Sequence, residues 1–118
     1  MPYQVFTTDG FDRQAKRLSK KHKSIKADLA ALVASLADDP QQGTPLGKEC
    51  YKIRMAIASK RKGKSGGARV IALVKVVGEF VLLLAIYDKS EKETLDDGEL
   101  DSMLRHTGLD PESSQQPQ

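Results

Sequence analysis

Basic and tyrosyl side chains recur in the second half of the chain at spacings that suit chemistry on a phosphodiester. Lys52 and Arg54 alternate within YKIRMAI, Arg69 opens ARVIALVKVV, and Tyr87 and Lys89 close EFVLLLAIYDK. An arginine can hold a phosphate through two hydrogen bonds, and a lysine supplies a point charge or transfers a proton. A tyrosine can stack on a base or act in proton transfer. If these side chains share one sheet face, they form a candidate site for a nucleic acid.

The same residues have ordinary structural interpretations, and the pattern alone leaves both open. Lys52 and Arg54 could lie on a solvated strand face, and Tyr87 could be a half-buried residue at a strand end. Asp88, between the tyrosine and Lys89, could be a turn residue. The positions of these residues in the fold are therefore needed to distinguish a structural role from a functional one.

A basic loop, SKRKGKSGG at residues 59–67, joins two of these runs. Its cations, together with Lys48 upstream, are candidates for binding the phosphates of a nucleic acid; they are Lys60, Arg61, Lys62 and Lys64. We expect a mobile electrostatic arm, the alternative being solubilising charge in an exposed loop. The Gly-Lys-Ser triplet is not a P-loop, because the first glycine is absent and strands lie on both sides.

The elements that position these residues follow from hydrophobic periodicity. A short strand over 3–8 precedes two helices whose apolar stripes are Phe11, Ala15 and Leu18, then Ile25, Leu29, Leu32 and Leu36. The segment 38–47 is rich in turn residues, and three strands follow, the last two joined by a tight turn at Gly78-Glu79. A short helix starts at Asp96 or Asp97 and ends at Gly108. We therefore predict an α+β fold, β-α-α-β-β-β-α, with two N-terminal helices packed on a twisted antiparallel β-sheet.

Charge and composition narrow the class of protein. The 118 residues suit one domain, which we place at 1–107, followed by a disordered polar tail at 108–118. Residues 1–87 carry a net charge of +9 and residues 88–118 one of −6. The basic part, residues 1–87, favours binding of polyanions; the alternative is that its charge only keeps the surface soluble. Cys50 is the lone cysteine, and we interpret His22 and His106 as surface residues. We expect no disulfide, no metal site and no cofactor, no membrane association and a cytoplasmic location.

Three stretches resemble the RelE/ParE superfamily of bacterial type II toxins, and the HigB/RelE-like members in particular. They are LADDPQQGTPLG, CYKIRMAIASKRKGKSGGARVIALV and VLLLAIYDKSEKETL, and the similarity covers roughly residues 3–105. The resemblance implies a fold like that of microbial ribonucleases. It also implies a ribosome-dependent endoribonuclease that cleaves mRNA in the A site and is neutralised by a cognate antitoxin, with oligomers only through that complex.

The resemblance also implies roles for single residues. Lys52 and Arg54 match the basic strand positions that bind or activate the RNA, and Arg69 matches the arginine that contacts the scissile phosphate. Tyr87 matches the strand-end tyrosine, and Lys89 the cation after it. The implied chemistry is metal-independent attack of the ribose 2′-hydroxyl on its own phosphate, which only RNA permits.

Two other functions remain open from the sequence. One is a ParE-like toxin that inhibits DNA gyrase without cutting RNA, because one fold can serve both activities. The other is a catalytically inert RNA-binding or repressor module, since this chain lacks the last-strand arginine of many RelE proteins and the histidines of some HigB proteins. The cationic residues favour the nuclease, and the apolar strands predict a protein partner on the uncovered sheet surface.

Overall fold

Residues 2–108 are described by the structure, a computed structural model, as three α-helices and five β-strands. The elements in chain order are β1 Gln4–Thr7, α1 Asp9–Lys21, α2 Ile25–Asp38, β2 Thr44–Gly47, β3 Cys50–Met55, a 3₁₀ turn Ala58–Lys60, β4 Ala68–Lys75, β5 Phe80–Asp88 and α3 Glu99–Thr107. The predicted α+β class is confirmed. Nearly all of the predicted tail, residues 109–118, lies outside the described residues.

The strands form one sheet in the order β1-β5-β4-β3-β2. Strands β3, β4 and β5 are the predicted antiparallel meander. Strand β1 pairs parallel to β5, which makes the sheet mixed rather than wholly antiparallel. The edge strand β2 lies in the segment predicted as a turn, and it pairs with β3 through a register shift between Pro45 and Gly47. Proline and glycine are tolerated there because an edge strand needs hydrogen bonds on one side only.

The two N-terminal helices cover one face of the sheet, which we call the helix face. Thr8 caps α1 by accepting a hydrogen bond from the amide of Phe11 at 3.1 Å. The predicted apolar stripes point into the core, where these residues are buried: Phe11, Leu18, Ile25, Leu32 and Leu36. They pack on alternate residues of β3, β4 and β5, so the periodicity of the sequence correctly identified this layer.

The opposite face, which we call the open face, is only partly covered. Helix α3 packs Leu104 on it, with Leu100 and Met103 at the margin. The helix begins after Gly98 rather than being capped by Asp96 or Asp97. It ends at Gly108 in the left-handed conformation, as predicted. No helix within residues 2–108 has both the length and the apolar character that crossing a membrane requires.

A one-residue bulge in β5 decides which of its side chains reach the open face. Ile71 pairs with Ala85 and Ala72 with Leu83, so Leu84 has no opposite residue on β4. Before the bulge the odd-numbered residues of β5 pack on the helix face, and after it the odd-numbered residues pack on the open face. An extra residue in one strand reverses its alternation. The bulge therefore puts Tyr87, and not Asp88, on the open face.

Candidate active site

Three of the predicted residues lie in one row on the open face, each one position from the end or the start of its strand. Arg54 on β3 is the register partner of Arg69 on β4, and Arg69 is the register partner of Tyr87 on β5. We call these three residues the site row. Lys52 lies two residues before Arg54 on the same strand, and Lys89 follows the end of β5. Side chains directly opposite on neighbouring strands lie about 5 Å apart at their Cβ atoms, so the row is a single cluster.

The cluster carries cationic charge without a protein counter-ion. Among residues 2–108, no carboxylate lies within ion-pair distance of Lys52, Arg54, Arg69 or Lys89. Two like charges directly opposite each other in a sheet destabilise it. This arrangement therefore suits a bound anion, because an anion between the two arginines would relieve their repulsion.

Arg69 is the most buried member of the row, with 3% of its surface exposed. Its Nη1 donates to the carbonyl oxygens of Lys64 at 3.0 Å and Ala68 at 3.1 Å, and its Nη2 donates to that of Ser65 at 3.2 Å. A guanidinium has five N–H donors, so two are still without a partner among the described residues. Arg69 thus both supports the basic loop and retains donors for an anion.

Tyr87 lies on the open face with a buried hydroxyl. The residue is 7% exposed, and its hydroxyl oxygen has no hydrogen-bond partner within the described part of the chain. Burial raises the pKa of this hydroxyl, the charge of Arg69 opposes that rise, and Glu99 adds to it. The Lys92 ammonium lies 6.0 Å from the ring centroid. At neutral pH the hydroxyl therefore keeps its proton and is an unused donor beside Arg69.

The basic loop, which the sequence predicts to be a mobile arm, is attached to the rest of the protein through Lys60 and Arg69. Arg61, Lys62 and Lys64 have exposed side chains, whereas the Lys60 ammonium lies 2.9 Å from Asp88 Oδ1 with its side chain 13% exposed. Lys48, the other predicted contact, pairs with Asp101 of α3. Both paired lysines thus hold parts of the protein together.

Asp88 at the end of β5 and His22 after α1 have contacts that sequence reasoning missed. Asp88 is not a turn residue at the surface but is 4% exposed, on the helix face. His22 follows α1 and is not a free surface residue, because its Nε2 lies 3.1 Å from Asp88 Oδ2. The two residues are 66 positions apart in the chain. No local sequence pattern connects the two residues. The available signal was that Asp88 is an acidic residue between the predicted site residues Tyr87 and Lys89.

Two other features lie away from the row. A cavity of about 460 Å³ lies between the start of α1 and α3, lined among others by Arg13, Leu84 and His106, and none of the predicted site residues lines it. Burial raises the pKa of the Cys50 thiol to about 12, with a smaller increase from the charge of Glu49 and a smaller decrease from that of Lys48. This cysteine is therefore a poor nucleophile. The chemistry of the open face is therefore that of cations and a phenol.

Comparisons with known proteins agree with this fold. Residues 3–112 match the family described as the RelE toxin of the RelE/RelB toxin–antitoxin system. No curated protein sequence matches the chain.

Three solved structures share the fold at low sequence identity. A doubly substituted Escherichia coli RelE toxin in the free state has a TM-score of 0.56 at 19% identity, over 79% of this chain and 90% of its own. A chain of the Mycobacterium tuberculosis RelBE2 toxin–antitoxin complex has a TM-score of 0.57 at 18% identity, over 75% and 99%. The isolated E. coli RelE toxin has a TM-score of 0.56 at 14% identity, over 89% and 97%. On the family match over most of its length, this chain belongs to the RelE toxin family.

Proposed function

We propose that this protein is a ribosome-dependent endoribonuclease that cleaves mRNA in the A site and so stops translation. The observation that carries the proposal is the site row, in which, among residues 2–108, two arginines without counter-ions adjoin a buried hydroxyl without a partner. A phosphodiester would supply what the row lacks, namely negative charge between the arginines and an acceptor for the phenol. RNA carries its own nucleophile, the 2′-hydroxyl, so the protein needs no activated serine or cysteine.

Cleavage by this route requires three tasks of the protein. The negative charge that develops on the phosphate must be stabilised, the 2′-hydroxyl must lose its proton, and the leaving oxygen must gain one. We assign the first task to Arg54, whose side chain is exposed, and to Arg69 through its two unused donors. Lys52, Tyr87 and Lys89 are the candidates for proton transfer or base stacking. Tyr87 suits donation, because its raised pKa keeps it protonated.

The test is cleavage of mRNA on purified, programmed ribosomes, with the cut sites mapped by primer extension. The wild-type protein should cut within the A-site codon, and Arg54→Ala should lose roughly 10²–10³ in rate. Lys26→Ala is the matched control, since it removes an exposed cation from α2, away from the open face, and should keep full activity.

Each of the other candidate functions gives a distinct result in the same experiment. Equal activity of Arg54→Ala and wild type would overturn the site assignment. Intact mRNA with tight RNA binding would indicate an inert RNA-binding module. Intact mRNA with gyrase-dependent DNA breaks would indicate a gyrase inhibitor.

We also infer that the protein binds a cognate antitoxin in the cytoplasm. Apolar side chains are exposed around the β4–β5 turn, at Val76 (52%) and Val77 (89%). Phe6, 49% exposed, packs edge to face on Phe80 at the start of β5, with ring centroids 6.1 Å apart. Exposed apolar surface of this kind marks sites of protein association. An acidic or amphipathic antitoxin segment fits beside the basic core, and co-purification of wild type but not Val77→Asp would support this site.

A further inference from the structure

The Asp88 carboxylate is the most highly connected polar group at the edge of the site. Within residues 2–108 it accepts hydrogen bonds from Lys60 Nζ, the Ser90 amide and Ser90 Oγ, each at 2.9 Å. His22 Nε2 lies 3.1 Å from its other oxygen. Burial alone would raise the pKa of Asp88, but the hydrogen bonds from Lys60 and Ser90 and the Lys60 charge hold that pKa well below its ordinary value. The group is therefore a buried anion with two separate sets of partners.

One set of partners controls the basic loop, residues 59–67. Lys60 lies at the start of the loop and is held by Asp88 Oδ1. The loop ends at Gly67, whose carbonyl oxygen accepts from the amide of Lys89 at 3.0 Å. A Cβ at Gly67 would overlap the carbonyl oxygen of Met55, so this end is packed tightly against β3. Both ends of the loop are thus attached at the end of β5.

The middle of the loop rests on the site row. The carbonyls of Lys64 and Ser65 are bound by the Arg69 guanidinium, and the side chains of Arg61, Lys62 and Lys64 remain exposed. A shift at the start of the loop would therefore move both the exposed cations and the acceptors that fix Arg69. The other oxygen of Asp88 contacts His22 at the end of α1 and has no part in this chain of contacts.

We propose that Asp88 is a positioning residue, which fixes the basic loop through Lys60 and so holds the loop cations and Arg69 in place for RNA. This inference rests on the proposed ribonuclease function and assigns Asp88 a role that requires no direct contact with RNA. Loss of the Asp88–Lys60 pair should loosen the loop and weaken binding of the mRNA–ribosome complex, so KM rises more than kcat falls. Loss of the His22 contact should lower stability without loosening the loop.

The first test uses trypsin, because the loop contains its own cleavage sites at Arg61, Lys62 and Lys64. Cleavage there is followed by mass spectrometry and normalised to cleavage after Lys26 in α2, which reports general unfolding. Lys60→Met and Asp88→Asn should each raise loop cleavage about tenfold, as expected for loss of a charge-assisted hydrogen bond. His22→Gln, the matched control for the other oxygen, should leave the normalised loop rate unchanged. An equal increase in loop cleavage in His22→Gln would mean that Asp88 stabilises the fold in general and does not specifically position the loop, which would overturn the inference.

The second test separates positioning from direct contact of Lys60 with RNA. If Lys60 binds RNA itself, Asp88→Asn releases a cation and removes a negative charge, so KM for programmed ribosomes should fall or stay the same. If Asp88 positions the loop, Asp88→Asn should raise KM about tenfold, in the same direction as Lys60→Met. A KM for Asp88→Asn at or below the wild-type value would overturn the inference. The trypsin result does not depend on catalysis. Absence of ribonuclease activity would therefore refute the proposed function, whereas the attachment of the loop by Asp88 would still be tested by trypsin.

Discussion

Replacing Tyr87 by phenylalanine should separate stability from activity, because the hydroxyl is buried without a hydrogen-bond partner among the described residues. A buried polar group left unsatisfied costs roughly 1–3 kcal/mol of folding free energy. Phenylalanine keeps the ring and its packing on the open face and removes only that oxygen. We therefore expect the free energy of unfolding of Tyr87→Phe to equal that of wild type or to exceed it by about 1–2 kcal/mol.

Activity should change in the opposite direction. The hydroxyl stays protonated at neutral pH because burial raises its pKa, and it adjoins Arg69 in the site row. Loss of one preorganised donor to a developing charge costs roughly 10²–10³ in rate, or about 3–4 kcal/mol of the barrier. Tyr87→Phe should thus be at least as stable as wild type and far slower on programmed ribosomes.

Urea unfolding and single-turnover mRNA cleavage, measured on the same preparation, test both halves of the prediction. Tyr51→Phe is the matched control, since Tyr51 is half-buried and packs on the helix-face core. It should keep wild-type activity. Destabilisation of Tyr87→Phe by more than about 1 kcal/mol would mean that the hydroxyl has a partner in the fold. Full activity would mean that it has no role in cleavage.

Three further predictions concern neighbouring residues. Arg54→Ala should slow cleavage but leave the free energy of unfolding unchanged or slightly raised, because it removes a like charge opposite Arg69. Urea unfolding measures that free energy, and a decrease of more than about 1 kcal/mol would contradict the prediction. In the folded protein the pKa of Asp88 lies below its ordinary value of 3.8. The ionised Asp88 therefore stabilises the fold fully above pH 3.8, and this stabilisation is lost as the pH falls toward the lower pKa of the folded state. The difference in the free energy of unfolding between wild type and Asp88→Asn should therefore be present in full at pH 7 and shrink below about pH 4. A difference that stays constant down to about pH 2 would refute the assignment. Gly67→Ala should cost about 1–3 kcal/mol by overlap with the β3 backbone. Gly10→Ala in α1, where the added Cβ meets only Arg13 Nη2 at 3.9 Å, should be neutral or stabilising in thermal unfolding.

The sequence predicted the helix layer and the meander because their side chains have clear periods. The stripe from Ile25 to Leu36 and the alternation of Lys52 with Ile53 and Arg54 each define a buried and an exposed side locally. Strand β2 was missed because its Pro45 and Gly47 are turn residues, and it forms only by pairing with β3. The parallel direction of β1 was missed because it follows from the path of the whole chain.

The face on which the tyrosine lies could not be read from the pattern. In FVLLLAIYD both faces of β5 are apolar, so no alternation reveals the bulge at Leu84. Without that extra residue, Asp88 would lie on the open face and Tyr87 on the helix face. Basic residues are equally ambiguous in sequence, because Lys60 and Arg61 look alike there although one is ion-paired and the other is exposed. Only the contacts of the folded chain distinguish a cation that binds protein from one that faces solvent.

We propose that the site row directs the 2′-hydroxyl of mRNA against its own phosphate. The most direct measurement uses programmed ribosomes whose mRNA carries a single 2′-deoxynucleotide on the 5′ side of the bond that is cut. We predict that this substitution abolishes cleavage at that bond, and that the all-ribose mRNA yields a 5′ fragment ending in a 2′,3′-cyclic phosphate. Cleavage of the deoxy-substituted bond at the ordinary rate would show that the 2′-hydroxyl is not the nucleophile.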